Sequence, residues 1–305
     1  MNEDEIPMTL QADGCAFALS DEVTRTPVRY TNRYGIEIAA DLYQRTGLDE
    51  SVPHPAIVIG PPHGGVKEQG PGVYAQELAR RGFVAVGFDP SDNGGSGGQP
   101  RHVTSPEIFA EDFSAGVDFL GMLPHVDRER IGVIGICGSG GFASSAAQVD
   151  TRIKAVATSA MDDISRVTRN RWQDSATDDD RRRTLEDLAA QRWADVDAGE
   201  PRLQPTFPAE IPDGRDPITS SPAHINVGAV RHLSDIAPRP ILLVTGDQAH
   251  SRYSSDTVLE QTTGPKELVV VPGARHIDLY DATCRTPERW GAAPAVERDR
   301  LAGRC

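Results

Sequence analysis

The chain has 305 residues and a formal net charge of −14, from 45 acidic against 31 basic side chains. That length buries a full core, so one large α/β domain with an insertion is expected in preference to two domains. The acidic balance, with no Lys/Arg cluster, excludes a nucleic-acid role and contact with anionic membrane surfaces, and no run approaches the roughly 18 apolar residues of a membrane span.

The opening Met1-Asn2-Glu3-Asp4-Glu5 is acidic and lacks the apolar stretch of a secretory signal. Four cysteines (Cys15, Cys137, Cys284, Cys305) show no C-x-x-C spacing. Both features point to a reduced, cytoplasmic setting with neither a disulfide framework nor a zinc site.

Residues 1–21 are an N-terminal extension. Glu22 to Tyr30 and Gly35 to Tyr43 alternate as strands, with a turn at Thr31 to Tyr34 between them. Ala56 to Ile59 is a short apolar run, fit for a strand buried on both faces. It ends in the breaker-rich loop Gly60-Pro61-Pro62-His63-Gly64-Gly65. Gly72 to Arg81 has helical spacing, Phe83 to Phe88 is the next buried strand, and a long loop runs from Asp89 to Gly98. Pro106 to Leu123 is amphipathic, with Ile108, Phe109, Phe113, Val117, Leu120 and Leu123 on one stripe.

The stretch from Arg130 to Ser145 is a buried strand (Ile131 to Ile136), a turn of almost no bulk, and a helix beginning near Gly138. A strand that turns at once into a helix forces one residue into an unfavourable backbone conformation. Small residues must flank it for the helix to pack back. With Cys137 at the turn, those neighbours are Gly135 and Ser139. This is a G-x-S-x-G elbow with cysteine in the serine position. Ser139 is the alternative nucleophile, flanked by Cys137 and Gly141. The strand register, which ends at Ile136, favours Cys137.

Ile153 to Ala157 is the next strand, and Pro240 to Thr245 the one after. The interval between them is polar, carries the run Asp178 to Arg183, reads as helical from Arg181 to Asp197, and is Pro-rich over 201–225. We expect it to be a cap over the carboxyl edge of the sheet, with Trp172 or Trp193 facing the site or that edge. Leu268 to Val271 is the last strand, and the tail 283–305 reads as one further helix. The expected layout is a core of 22–160 and 238–282, a cap at 161–237, and a tail at 283–305. Strands alternating with helices after a hairpin imply a mostly parallel eight-stranded sheet with helices on both faces and the cap between strands 6 and 7.

Sites in such sheets lie beyond the carboxyl ends of the strands. His63-Gly64-Gly65, Cys137, Asp162-Asp163, Asp247 and His276 all fall there. A thiol at neutral pH needs a base, and His276 follows the last strand. The histidine needs a carboxylate to fix its tautomer. Asp247, directly after Gly246, is the first choice, with Asp163 or Asp162 as the rival. Gly138 supplies one oxyanion N–H. The loop after Ile59 supplies the other through Gly64 or Gly65, since Pro61 and Pro62 have none. No Walker loop, dinucleotide fingerprint, H-E-x-x-H or EF-hand spacing occurs, so no cofactor or metal is expected.

Several segments together resemble one family. They are Gly64-Gly65-Val66-Lys67-Glu68-Gln69, Gly87-Phe88-Asp89 with the Gly94-to-Gly98 loop, Gly135 to Gly141, Ala249-His250-Ser251-Arg252-Tyr253, and Pro272 to Tyr280. Over roughly residues 22–281 the chain is similar to α/β-hydrolases of the dienelactone-hydrolase-like type, in the branch of bacterial hydrolases and fungal thiohydrolases or polyketide transferases. The resemblance implies a metal-free Cys/Ser-His-Asp enzyme acting on ester or thioester substrates. The expected activity is acyl transfer through Cys137, His276 and Asp247 on a small organic or polyketide-like substrate. The expected partner is that small molecule, with a homodimer left open. A second reading keeps the fold without hydrolysis, as a cyclase or binding scaffold in a biosynthetic pathway.

Overall fold

The structure, a computed structural model, describes residues 15–205, 215–217 and 221–280. Most of the N-terminal extension, Cys284, Cys305 and the tail lie outside the described residues. Strands β1 (Val23–Thr31) and β2 (Glu37–Arg45) pair antiparallel, in register from Val23↔Arg45 to Thr31↔Glu37. Their turn is closed by the Asn32 side-chain oxygen, which accepts from the N–H groups of Tyr34 and Ile36 at 3.0 Å each.

The chain then alternates: β3 (His54–Gly60), α1 (Gly70–Arg80), β4 (Val84–Phe88), α2 (Pro106–Met122), β5 (Val126–Ile136), α3 (Ser139–Val149) and β6 (Ala155–Ser159). After β6 come α4 (Ile164–Asn170), α5 (Asp178–Ala198), a ribbon of β7 (Leu203–Pro205) and β8 (Arg215–Pro217), and α6 (Ser221–Asn226). The chain returns to the sheet as β9 (Ile241–Gly246), α7 (Arg252–Gln261) and β10 (Lys266–Val271). The main sheet has eight strands in the order β1-β2-β4-β3-β5-β6-β9-β10. Pairing is parallel from β4 onward, and β2 is antiparallel to both neighbours.

Period-two alternation divides the core between the two faces of the sheet. Val58 and Val133 point to the face covered by Phe109 and Phe113 of α2, Phe142 of α3 and Val258 of α7. Ile57, Ile59, Ile134 and Ile136 point to the other, where Tyr74, Ala75 and Ala79 of α1 cover them. Because both faces are buried, β3 to β6 read as nearly unbroken apolar runs. Each such aliphatic side chain stabilises the fold by about 1.5–3 kcal/mol relative to exposure.

Buried carboxylates tie the loop after β4 to this frame. Asp89 accepts from Lys67 N at 2.7 Å, Lys67 Nζ at 3.0 Å and Gly95 N at 2.8 Å. Asp112 on α2 accepts from Ser91 N and Ser91 Oγ at 2.7 Å and from Asn32 Nδ2 at 2.9 Å. Its burial pushes the carboxyl pKa up to about 6 against those donors.

Helix α5 forms for a different reason. Among its residues only Leu188 is buried, so packing contributes little. Thr177 and Asp180 cap its start reciprocally, at 3.1 Å from Asp180 N to Thr177 Oγ1 and 3.0 Å from Thr177 N to Asp180 Oδ2. Arg181, Arg182 and Arg183 pair back onto Asp178, Asp179 and Asp180. Gly199 ends the helix in the left-handed conformation, at φ +76°.

Candidate active site

Cys137 stands between β5 and α3 at φ +54°, a conformation costly for any residue with a Cβ. Its backbone is fixed from three sides. Its N–H donates to Ser159 O at 2.9 Å, and its carbonyl accepts from Gly140 N and Asp162 N, each at 2.9 Å. Glycine at 135 is a packing requirement, since a Cβ there would lie 2.1 Å from Ser139 O. At Gly140 a Cβ would lie 2.5 Å from Met161 Cβ, so α3 could not approach β6 as it does. Cys137 as a residue is only partly buried.

Ser139 is buried, and its hydroxyl donates to the Pro61 carbonyl. It therefore ties the loop after β3 to the elbow. Gly65 N is used inside that loop, donating to Pro62 O at 2.7 Å, and Gly64 is exposed at φ +76°. The backbone N–H groups of His63 and Gly138 lie near enough to the Cys137 sulfur to favour its thiolate form. His63 was passed over in the sequence. The signal was there: it carries the first N–H after two prolines. A Cβ on Gly138 would meet Ile164 Cγ1 at 2.8 Å and His63 Cβ at 3.0 Å, so α4 and the β3 loop close tightly over this position.

His276 follows β10 and is buried. Its Nδ1 lies 2.7 Å from Ser251 Oγ, and Ser251 Oγ donates to the Ala160 carbonyl at 3.3 Å. Its Nε2 lies 2.7 Å from the Tyr280 hydroxyl. That hydroxyl is also hydrogen-bonded to the Cys137 thiol. The His250 ring packs against His276, tilted by 31° with centroids 4.3 Å apart. Burial, reinforced by His250, pulls the His276 pKa down to about 4. Burial likewise pushes the Cys137 thiol up, and the Tyr280 hydroxyl and the N–H groups of His63 and Gly138 only partly oppose it. Both groups are therefore held neutral at pH 7: a thiol and an imidazole, with no resting ion pair.

The three candidate carboxylates are placed as follows. Asp247 is exposed, and its Oδ1 accepts from Gly273 N at 2.8 Å, bracing the loop that carries His276. The backbone approach there is close, since a Cβ on Gly246 would lie 1.9 Å from Ala274 O. Asp163 is buried as the N-cap of α4, accepting from Arg166 N at 3.1 Å. Asp162 accepts from Ser254 Oγ at 3.3 Å; burial raises its carboxyl pKa, and His250 opposes that rise. None of the three is among the described hydrogen-bond partners of the His276 ring; Ser251 and Tyr280 are. Trp172, 54% exposed, donates from Nε1 to the His250 carbonyl at 3.1 Å, and Trp193 is 72% exposed.

The chain is similar to known proteins in sequence and in fold. A family model described as the dienelactone hydrolase family matches residues 39–160. The uncharacterized protein PA2218 of Pseudomonas aeruginosa is 48% identical over 299 residues, spanning 89% of this chain and 80% of that protein. Its crystal structure matches with a TM-score of 0.86 at 46% identity, over 92% of this chain and 96% of that one. The α/β hydrolase GrgF of Penicillium sp. sh18 shares the fold, with a TM-score of 0.71 at 21% identity over 86% and 95% of the two chains. The thiohydrolase aneE of Aspergillus aculeatus is 32% identical over 137 residues, which is 45% of this chain and 42% of that protein.

Proposed function

The chain belongs to the dienelactone hydrolase family of α/β-hydrolases, and from that premise we propose that it transfers acyl groups through Cys137. Hydrolase chemistry comes with the family; the nucleophile and the substrate class are our reading. The substrates are esters, lactones or thioesters of small organic or polyketide-like acids. The likeness to a fungal thiohydrolase supports that class.

One observation carries the assignment. A strained, partly exposed cysteine directly follows the central strand β5, with the N–H groups of His63 and Gly138 beside its sulfur and the buried, neutral imidazole of His276 linked to it through the Tyr280 hydroxyl. The sulfur adds to the carbonyl carbon while its proton passes toward His276. Negative charge gathering on the carbonyl oxygen is met by the N–H groups of Gly138 and His63. Collapse expels an alcohol or thiol that takes the proton back from His276, leaving a thioester on Cys137. Water then completes hydrolysis; an alcohol acceptor would complete a transfer. The contact to Nδ1 supports Ser251 as the group that orients the imidazole. Asp247 acts one step further out, through the Gly273 N–H.

Intact-mass analysis after incubation with p-nitrophenyl and N-acetylcysteamine esters of short acids tests this. The expected result is a single acyl adduct that is absent from Cys137→Ala. An adduct on Ser139 would move the nucleophile, and no adduct from any ester would favour the non-hydrolytic reading.

A further inference from the structure

We propose that Tyr280 is a catalytic residue whose hydroxyl carries the proton between the Cys137 thiol and His276. This rests on the reading of Cys137 as the nucleophile. The hydrogen bonds around His276 run in one direction. Ser251 Oγ donates to the Ala160 carbonyl, so toward His276 it offers a lone pair. With the Ser251 proton on the Ala160 carbonyl, we assign the imidazole proton to Nδ1, which leaves Nε2 as an acceptor. The Tyr280 hydroxyl, 2.7 Å away, donates to it. The phenol oxygen then turns a lone pair toward the S–H of the thiol beside it, and once the proton has moved its O–H faces the thiolate, the form that contact with Tyr280 favours. The chain Cys137–Tyr280–His276–Ser251–Ala160 is therefore continuous and polarised from sulfur to the β6 terminus. Nε2 is already occupied, so the thiol has no direct path to it while Tyr280 stays in place.

Protons balance in a paired move. The S–H bond breaks as a new O–H forms on Tyr280, and the old Tyr280 O–H breaks as N–H forms on His276. Sulfur keeps its electron pair and bonds to the substrate carbonyl carbon. Tyr280 ends as it began, neutral, now donating to sulfur. A second paired move, from His276 N–H to the Tyr280 oxygen and from the Tyr280 O–H to the departing alkoxide or thiolate, protonates the leaving group and restores neutral His276. No tyrosinate is needed, in keeping with the burial that raises the Tyr280 pKa well above its ordinary value.

The fold holds the phenol for this. Residues 276 and 280 lie four apart on one short helical turn (Ile277–Leu279), which puts imidazole and phenol on the same side. Tyr74 Oη donates to Leu279 O at 2.7 Å and lies 2.7 Å from Ser159 Oγ, pinning that turn to the end of β6.

The test is Tyr280→Phe, which keeps the ring and removes the proton carrier. Thermal midpoint and circular dichroism establish that it folds. Stopped-flow acylation by p-nitrophenyl acetate, its proton inventory in H2O/D2O mixtures, and the pH profile of Cys137 alkylation by iodoacetamide are read against Cys137→Ala as the blank. We expect acylation to slow by roughly 10²- to 10³-fold, in the range of positioned acid–base groups. The inventory should pass from curved to linear, and alkylation should shift to higher pH. Acylation within twofold of the parent, or faster, with an unmoved alkylation profile overturns the relay and leaves acyl transfer intact. If no ester acylates the parent but the alkylation profile still shifts, the relay stands and the acyl-transfer reading falls.

Discussion

At the scale of single residues, the elbow separates chemistry from packing. Cys137 at φ +54° carries strain of about 1–3 kcal/mol. Glycine would relieve most of it, at some cost in chain entropy. Cys137→Gly is therefore expected to gain about 1 kcal/mol in urea unfolding while losing all turnover. Ser139→Ala should do the reverse. It leaves the Pro61 carbonyl without its buried donor, costs about 1–3 kcal/mol, and still forms the acyl adduct on Cys137. Activity in Cys137→Gly, or its loss in Ser139→Ala with the fold intact, would exchange the two roles.

At the scale of elements, the loops after β9 and β10 decide how His276 is oriented. Ser251 touches the ring and Asp247 touches only the loop. Ser251→Ala should lower kcat by on the order of 10²-fold. Asp247→Asn, whose amide oxygen can still accept from Gly273 N, should stay within about fivefold, as a neutral acceptor is roughly half as strong. Steady-state rates on whichever ester acylates Cys137 compare them, and a larger loss at Asp247 would return the orienting role to the carboxylate. Much of this was legible in sequence. Strands buried on both faces announce themselves as apolar runs, and α5 is written in its caps and charges. Helix α7 was not legible, because its buried face is Ser254, Ser255 and Val258, which makes no apolar stripe. Nor was Ser251, since its meeting with His276 depends on how two distant loops dock. The insertion of α4 to α6 between β6 and β9 was legible through its change of composition. Its contact with the site, through Ile164 beside Gly138 and Trp172 on His250, is a matter of three-dimensional approach.

At the scale of the whole molecule, two buried groups tilt stability with pH in opposite senses. His276 has a folded pKa of about 4, below its ordinary 6.5. Between those values the unfolded chain takes a proton that the fold refuses, so stability falls as pH drops through 6.5 toward 4. The loss is on the order of 3 kcal/mol. Asp112, raised to about 6 from 3.8, does the opposite, because the fold takes its proton first and gains stability on acidification. Urea unfolding from pH 7 to 4 should show His276→Gln gaining on the parent, and Asp112→Asn falling behind it. Parallel curves for parent and variants would show that neither group carries such a shift.

The three backbone bonds that hold Cys137 also set a timescale. They fasten the sulfur to the middle of the parallel sheet, between β5, β6 and α3, where opening demands that central strands part. His276 and Tyr280 hang instead from β10, the outermost strand on that side. The two halves of the proposed centre thus hang from a central and an edge part of the sheet, which are expected to open with different ease. On warming, the histidine loop is expected to leave before the central strands part, once its bonds to Tyr74 and Ser251 give way, and the elbow would then stand with its thiol uncovered. If His276 is the base we propose, thermal inactivation should begin with its loss and be recorded as chemistry at sulfur, by oxidation or disulfide exchange between molecules. A reductant in the buffer would turn much of that loss into a reversible one.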